Sequence, residues 1–310
     1  VSRVRTVAVV LEEPKRLGLR PVELAPADDR DLVIEVDWSG VSTGTERLLY
    51  TGAMPPFPGM GYPLVPGYES VGRVVEAGPL ARTRIGERVF VPGSSKFIDA
   101  RGLFGGAARR LVTPSARAVS LPQDLGEAGV LLSLAATAHH AIAGGRAPDL
   151  VVGYGTLGRL LVRVSEALGH TRPTIHEIDS ARRDGLAVHP DEDPRRDYRA
   201  IYDASGAAGL IDPLVGRLAR GGEVVLAGFY EDRLSFAFPP AFIKEARLRI
   251  AAEFGPADVE AVLVLIEAGR LSLDGLITHR AAAADAEAAY ATAFGDPACL
   301  KMVLDWSGCA

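Results

Sequence analysis

Cysteine is almost missing from this chain, which has only Cys299 and Cys309, in neither a Cys-x-x-Cys pair nor a Cys/His array. They read as ordinary thiols, and a disulfide between them is not expected in a cytoplasmic protein. No apolar run approaches the roughly 18 residues of a membrane span, so no transmembrane segment is expected. The opening Val1-Ser2-Arg3-Val4-Arg5 leads straight into a strand-like run without the apolar core of a secretory signal, which makes a cytoplasmic location the expectation. Nor is one charge in large surplus. The formal net charge is -5 and the Lys and Arg residues are dispersed, so nothing recommends a nucleic-acid partner. Repeats and low-complexity tracts are absent too, and a helix accounts for the Ala-rich stretch from Ala281 to Ala289.

What is present is a globular chain of 310 residues, 48% hydrophobic, long enough for two domains. Up to about residue 120 short strands alternate with Gly and Pro. The clearest carries Leu32, Ile34, Val36 and Trp38 on one face, and residues 71–75, 88–91 and 110–112 add others. A small β-barrel would account for them. After Leu121-Pro122 the texture turns Ala- and Leu-rich, then strands and helices alternate as in a parallel sheet. Residues 200–206 and 223–228 read as strands flanking a helix with Leu210, Ile211, Leu214, Val215 and Leu218 on one face. Val259, Val262, Leu263 and Ile266 stripe a later helix, and residues 301–304 read as a final strand that rejoins the first domain. The fold class is therefore α/β. The expected division is 1–120 with 271–310, and 121–270.

The most informative stretch runs from Val151 to Gly158. There Gly153, Gly155 and Gly158 form a Gly-x-Gly-x-x-Gly turn between an apolar strand and a helix that carries Leu157, Leu160, Leu161, Val164 and Leu168 on one face and ends at Gly169. Such a turn lets backbone approach a pyrophosphate at the positive end of the helix, so Gly153, Gly155, Thr156, Leu157 and Gly158 are the candidate phosphate cradle. A second strand, from Thr174, delivers Glu177 at the position that binds the ribose hydroxyls. Its charge suits NAD and repels the extra phosphate of NADP, while Arg182 and Arg183 are placed to bind phosphate, to lie near adenine or to face solvent.

The residues 66–72, Pro-Gly-Tyr-Glu-Ser-Val-Gly, and 85–89, Ile-Gly-Glu-Arg-Val, resemble the Gly-His-Glu and Gly-Asp-x-Val segments of the medium-chain dehydrogenase/reductase superfamily. Ala136-Thr137-Ala138-His139 and Leu276-Ile277-Thr278-His279 are similar to its helix before the cofactor domain and to its entry to the tail. The resemblance implies a GroES-like β-barrel domain plus a Rossmann-type doubly wound sheet, and a homodimer. Zinc-dependent members place Cys, His and Cys around a catalytic metal. Those places here hold Ser42, Tyr68 and Ser133, and the four-cysteine structural lobe is missing, so a metal-free enzyme is expected. The Pro-, Gly- and aromatic-rich run from Trp38 to Glu69 resembles one branch, the bacteriochlorophyllide dehydrogenases. That resemblance implies NAD-dependent oxidation of a hydroxyethyl side chain to acetyl on a tetrapyrrole, by an alcohol dehydrogenase that is cytoplasmic or peripheral to the photosynthetic membrane.

Without zinc, a side chain must handle the alcohol proton. Tyr68 stands in a vacated ligand place, but a phenol near its ordinary value of about 10 needs nearby positive charge to act as a base. His139 and His140 start nearer neutrality, at about 6.5, and as adjacent helical residues are expected to point apart. Glu69 either orients the base or sits in a structural salt bridge, and Ser42 and Thr45 are weaker relay candidates. Met54, Phe57, Met60 and Tyr62 form either an apolar wall for a flat substrate or a cover for the barrel. Arg47 and Lys96 either meet a substrate carboxylate or lie in solvent. Two other functions stay open: a zinc-free quinone or enone reductase using NADPH, and a protein that binds dinucleotide or pigment without turnover.

Overall fold

The computed structural model describes residues 4–56, 58–231, 233–251 and 253–309. The chain divides into two compact units, Val1–Leu132 with Asp274–Ala310, and Ser133–Leu273.

The first unit is built from strands, as its period-2 patterning requires. Val4–Glu13 and Arg16–Leu24 form a hairpin that extends through Leu64–Val65 to Arg101–Gly102. A larger sheet runs in the order His279–Ala282, Met302–Asp305, Asp31–Val41, Ser70–Ala77, Arg88–Val91, Val119–Ser120, with Arg110–Pro114 also on Asp31–Val41. Leu32, Ile34 and Val36 are fully buried, while Trp38 is half-buried under the Arg88 guanidinium. The C-terminal tail is integral to this unit, because Met302–Asp305 pairs antiparallel with residues 38–41. A short helix the strand patterning did not announce, Thr45–Thr51, follows the long strand and ends at Gly52 in a left-handed conformation.

The second unit holds a five-stranded parallel sheet in the order Thr174–His176, Leu150–Val152, Tyr198–Asp203, Leu218–Leu226, Arg247–Ile250. The strand earliest in the chain lies second, so the order reverses beside it, and its carboxyl end is where such sheets bind ligands. The helix Thr156–Ala167 leaves that end with Leu160, Leu161 and Val164 buried and Leu157 half-buried. The connection from residue 177 to 198 is trimmed: one parallel bridge, His176 to Val188, stands where a further strand would pair. A buried polar knot replaces the missing packing. Asp193 Oδ2 takes the His176 ring at 2.8 Å, the Tyr198 hydroxyl at 2.7 Å and Arg217 at 3.0 Å. In the helix Pro256–Glu267 the buried stripe is Val259, Val262 and Leu265, so the predicted Leu263 and Ile266 flank it rather than define it.

Candidate functional site

In the nucleotide-type unit each glycine of the turn has its own reason. Gly153 sits at φ +86°, and a Cβ there would come within 3.0 Å of the Ser205 backbone. At Gly158 a Cβ would meet the Gly153 carbonyl oxygen at 1.8 Å, so helix and strand pack too closely for any side chain. A Cβ on Gly155 would meet nothing within 4 Å. That open backbone, at the N-cap of the helix Thr156–Ala167, fits a pyrophosphate. Glu177 is nearly buried against the turn. Its Oε2 accepts the Tyr154 N–H at 2.8 Å and its Oε1 the Asp179 N–H at 2.9 Å, which fixes the carboxylate beside the glycine turn. Arg182 lies on the same segment, its backbone N–H on the Asp179 carbonyl at 3.1 Å.

In the same unit the two adjacent histidines do not diverge as expected. Both reach one carboxylate: Nδ1 of His139 lies 2.8 Å from Asp258 Oδ1 and Nδ1 of His140 3.0 Å from Asp258 Oδ2. Asp258 also accepts the Gly255 N–H at 2.8 Å, capping the helix Pro256–Glu267. Burial pushes the Asp258 carboxyl up, but the Gly255 N–H and the two imidazoles outweigh it and hold it below its ordinary range. Against a carboxylate acceptor each Nδ1 carries the hydrogen, which leaves Nε2 of a neutral His139 as an acceptor. Ser133 is fully buried and its carbonyl accepts the Thr137 hydroxyl at 2.8 Å.

The barrel unit gathers a second cluster. The Tyr68 hydroxyl donates to Ser42 Oγ at 2.7 Å. Burial first, and then the neighbouring Glu69 charge, drive the phenol far above its ordinary range, against hydrogen bonds to Ser42 and Thr45. The positive charge that would make Tyr68 a base is taken elsewhere. Lys301, itself 1% exposed, places Nζ 2.8 and 2.6 Å from the two oxygens of fully buried Glu69, and 3.3 Å from the Val41 carbonyl. Glu46, also fully buried, accepts the Ser42 N–H at 3.0 Å and the Tyr290 hydroxyl at 2.6 Å. A hydroxyl and a phenol bonded to each other offer zinc neither thiolate nor imidazole, so this donor set does not fit the metal. Among the described residues, no group of three or more His, Cys, Asp or Glu could hold a metal ion.

Residues 28–123 match the family model of the alcohol dehydrogenase GroES-like domain. Two relatives, each a 2-desacetyl-2-hydroxyethyl bacteriochlorophyllide A dehydrogenase, match nearly end to end. The protein from Rhodobacter capsulatus is 57% identical over 97% of this chain and 98% of its own. That from Cereibacter sphaeroides is 58% identical over 99% and 100%. The chain belongs to the bacteriochlorophyllide a dehydrogenase family. An alcohol dehydrogenase structure from Escherichia coli CFT073, complexed with NADH, has the same fold: TM-score 0.84 at 18% identity, covering 97% of this chain and 99% of that one. The GroES-like barrel and the Rossmann-type sheet are those of the medium-chain dehydrogenases.

Other expectations for this dehydrogenase resolve by burial. Met54 belongs to the barrel core and Met60 and Tyr62 pack against it, Tyr62 donating to the Leu49 carbonyl at 2.5 Å. These residues cover the barrel; Phe57 lies outside the described residues. Lys96 is held by Asp28 and Asp31 at 2.7 and 2.9 Å, whereas Arg47 is exposed. Cys299 is buried and Cys309 half-buried, and no disulfide joins them. Among the described residues no helix is long and apolar enough to cross a membrane. Glu46, Asp258, Tyr290 and Lys301 were missed by sequence reasoning, since no local spacing joins them to the motifs they serve.

Proposed function

We propose that this chain oxidises the hydroxyethyl side chain of a bacteriochlorophyllide to an acetyl group, with NAD as the acceptor. The observation that carries this reading is 57% and 58% identity, over nearly whole lengths, to two proteins named for that substrate. Gly153, Gly155, Thr156, Leu157 and Gly158 would hold the pyrophosphate and Glu177 the ribose hydroxyls, with Arg182 beside them. When bound, the nicotinamide supplies the hydride acceptor. The carboxylate at Glu177 supports NAD over NADP.

The remaining chemistry falls to side chains. Tyr68 stays a neutral phenol and serves as a hydrogen-bonding group for the alcohol oxygen, not as a base. His139 accepts the hydroxyl proton at Nε2, with Asp258 holding Nδ1–H and the ring orientation. Glu69, locked to Lys301, is a positioning residue that fixes the strand entry next to Tyr68. The active species is a homodimer; the exposed Ile250 on the edge strand of the parallel sheet and Phe238, Phe242 and Ile243 on the helix before it support that assembly.

Anaerobic incubation with hydroxyethyl bacteriochlorophyllide and NAD should give a product lighter by one pair of hydrogens, with NADH formed in step, and NADP should be a poor acceptor. Turnover confined to quinones or enones with NADPH would replace this reading with a reductase. Binding of pigment and dinucleotide without conversion would leave a carrier.

A further inference from the structure

Arg159 directly follows the last glycine of the turn and is mostly buried, with 12% of its side chain exposed. Every edge of its guanidinium is used. Nε donates to the Tyr154 carbonyl at 3.1 Å, Nη1 pairs with Asp184 Oδ2 at 2.5 Å and Nη2 donates to the Arg182 carbonyl at 2.9 Å. The Arg159 guanidinium carbon lies 3.9 Å from the centroid of the Tyr154 ring. Tyr154 in turn donates its N–H to Glu177, whose other oxygen takes the Asp179 N–H, and the Asp179 carbonyl takes the Arg182 N–H. The contacts close a ring: turn, Glu177, Asp179, Arg182, Arg159 and back to the turn.

The ring matters because the other contacts of the segment after Glu177 are mostly local: the Leu186 and Ala187 N–H groups on the Arg183 carbonyl, the Ala181 N–H on Asp179, and Arg183 3.7 Å from Glu192. The connection is trimmed to one bridge at Val188, and Ile178 and Leu186 stand exposed, so no packed helix or full strand sets where residues 178–186 lie. Asp184 sits at φ +35°, in the left-handed region that Asp tolerates better than most non-glycine residues. Its carboxylate also accepts the Leu186 N–H at 3.4 Å. A charged, five-donor fork satisfied on three sides defines both position and orientation more tightly than a lysine could.

We propose that Arg159, anchored by Asp184, is a positioning residue that holds the Glu177–Arg182 segment against the glycine turn and thereby sets both affinity for the adenosine end of the dinucleotide and the preference for NAD over NADP. This rests on the reading of the turn as a dinucleotide site. Arg159 itself touches neither the reacting atoms nor, on this assignment, the phosphates.

The test compares Arg159→Met, Arg159→Lys, Asp184→Asn and Glu177→Gln with the parent enzyme. It measures KM and kcat for NAD and NADP with hydroxyethyl bacteriochlorophyllide, and NADH binding directly by fluorescence. Arg159→Met should raise KM and Kd for the NAD cofactor by about tenfold, about 1.4 kcal/mol, leave kcat at saturation within about twofold, and narrow the NAD:NADP ratio. Asp184→Asn keeps both backbone hydrogen bonds of Arg159 and should move the same quantities in the same direction by less. It carries the test should the methionine variant fail to fold. Arg159→Lys should restore less than half of the lost discrimination. Unchanged KM and ratio in the folded Arg159 or Asp184 variants, with Glu177→Gln lowering the ratio, would overturn the clamp while leaving the cofactor site intact. If Glu177→Gln also changes nothing, the cofactor-site reading itself fails.

Discussion

At the scale of single residues the barrel unit concentrates unusual electrostatics in two buried carboxyls, only one of which is paired with a buried ammonium. Glu69 holds Lys301, and Glu46 accepts the Tyr290 hydroxyl and the Ser42 N–H. Burial lifts Glu46 from its ordinary 4.5 to about 7, opposed by those two hydrogen bonds and by Lys301 and reinforced by Glu69. Between pH 4.5 and 7 the folded chain therefore binds a proton that the unfolded chain has released. Stability drains away as pH rises through that window, and the loss is complete above it. The difference amounts to about 3 kcal/mol. Glu46→Gln keeps the shape and does not titrate, so its stability relative to the parent should rise by that amount from pH 4.5 to 8 in urea unfolding. A difference that stays flat with pH would remove Glu46 as the titrating group. Lys301→Met strands a buried carboxylate and should cost about 3–5 kcal/mol, much of it recovered when Glu69→Gln is added. Equal losses in the single and double variants would mean that lost packing, not the unpaired charge, is responsible. A structural salt bridge was one sequence reading of Glu69, but its partner Lys301 and the whole role of Glu46 were not legible. Lys301 and Tyr290 meet their partners only because the tail strand Met302–Asp305 and the helix Ala286–Gly295 return to the barrel, across separations of 232 and 244 residues.

At the scale of elements, the strand, turn and helix from Leu150 to Ala167 were readable because their determinants are local: an apolar run, three glycines, a 3.6-residue stripe and a carboxylate at the end of the next strand. The motif nevertheless hides a distinction that only coordinates reveal. At Gly158 the missing side chain serves the fold, and at Gly155 it leaves space facing no protein atom. Gly158→Ala should therefore lose about 1–3 kcal/mol of stability from overpacking, with a lower melting temperature even in the absence of dinucleotide. Gly155→Ala, at φ -74°, strains nothing, and should melt with the parent while raising KM for NAD several-fold. Identical behaviour of the two variants would deny the division of labour. The histidine pair failed as a sequence inference for an equally physical reason. Divergence of adjacent helical residues holds for rigid side-chain vectors, but a carboxylate with two oxygens at the head of another helix can collect both rings.

At the scale of the whole molecule, the nucleotide-type unit ends its parallel sheet on the strand Arg247–Ile250, and among the described residues no strand pairs with the far edge. Beside it, the helix Phe238–Lys244 exposes Phe238 and Phe242, 67% and 68% accessible, with their ring centroids 5.6 Å apart, and Ile243 and Ile250 are 70% and 74% accessible. An open edge and an aromatic pair in water together favour association, and a second copy would cover the same patch on both partners through a two-fold axis. Sedimentation at micromolar concentration should accordingly show a dimer. Phe242→Asp combined with Ile250→Asp should yield a monomer. The glycine turn follows the second strand of the sheet whereas the patch lies on the fifth and on the helix before it, so NADH affinity should survive in that monomer. A monomeric parent would discard the dimer outright. A dimer indifferent to both substitutions would move the interface to another surface, leaving these aromatics to explain by some other partner.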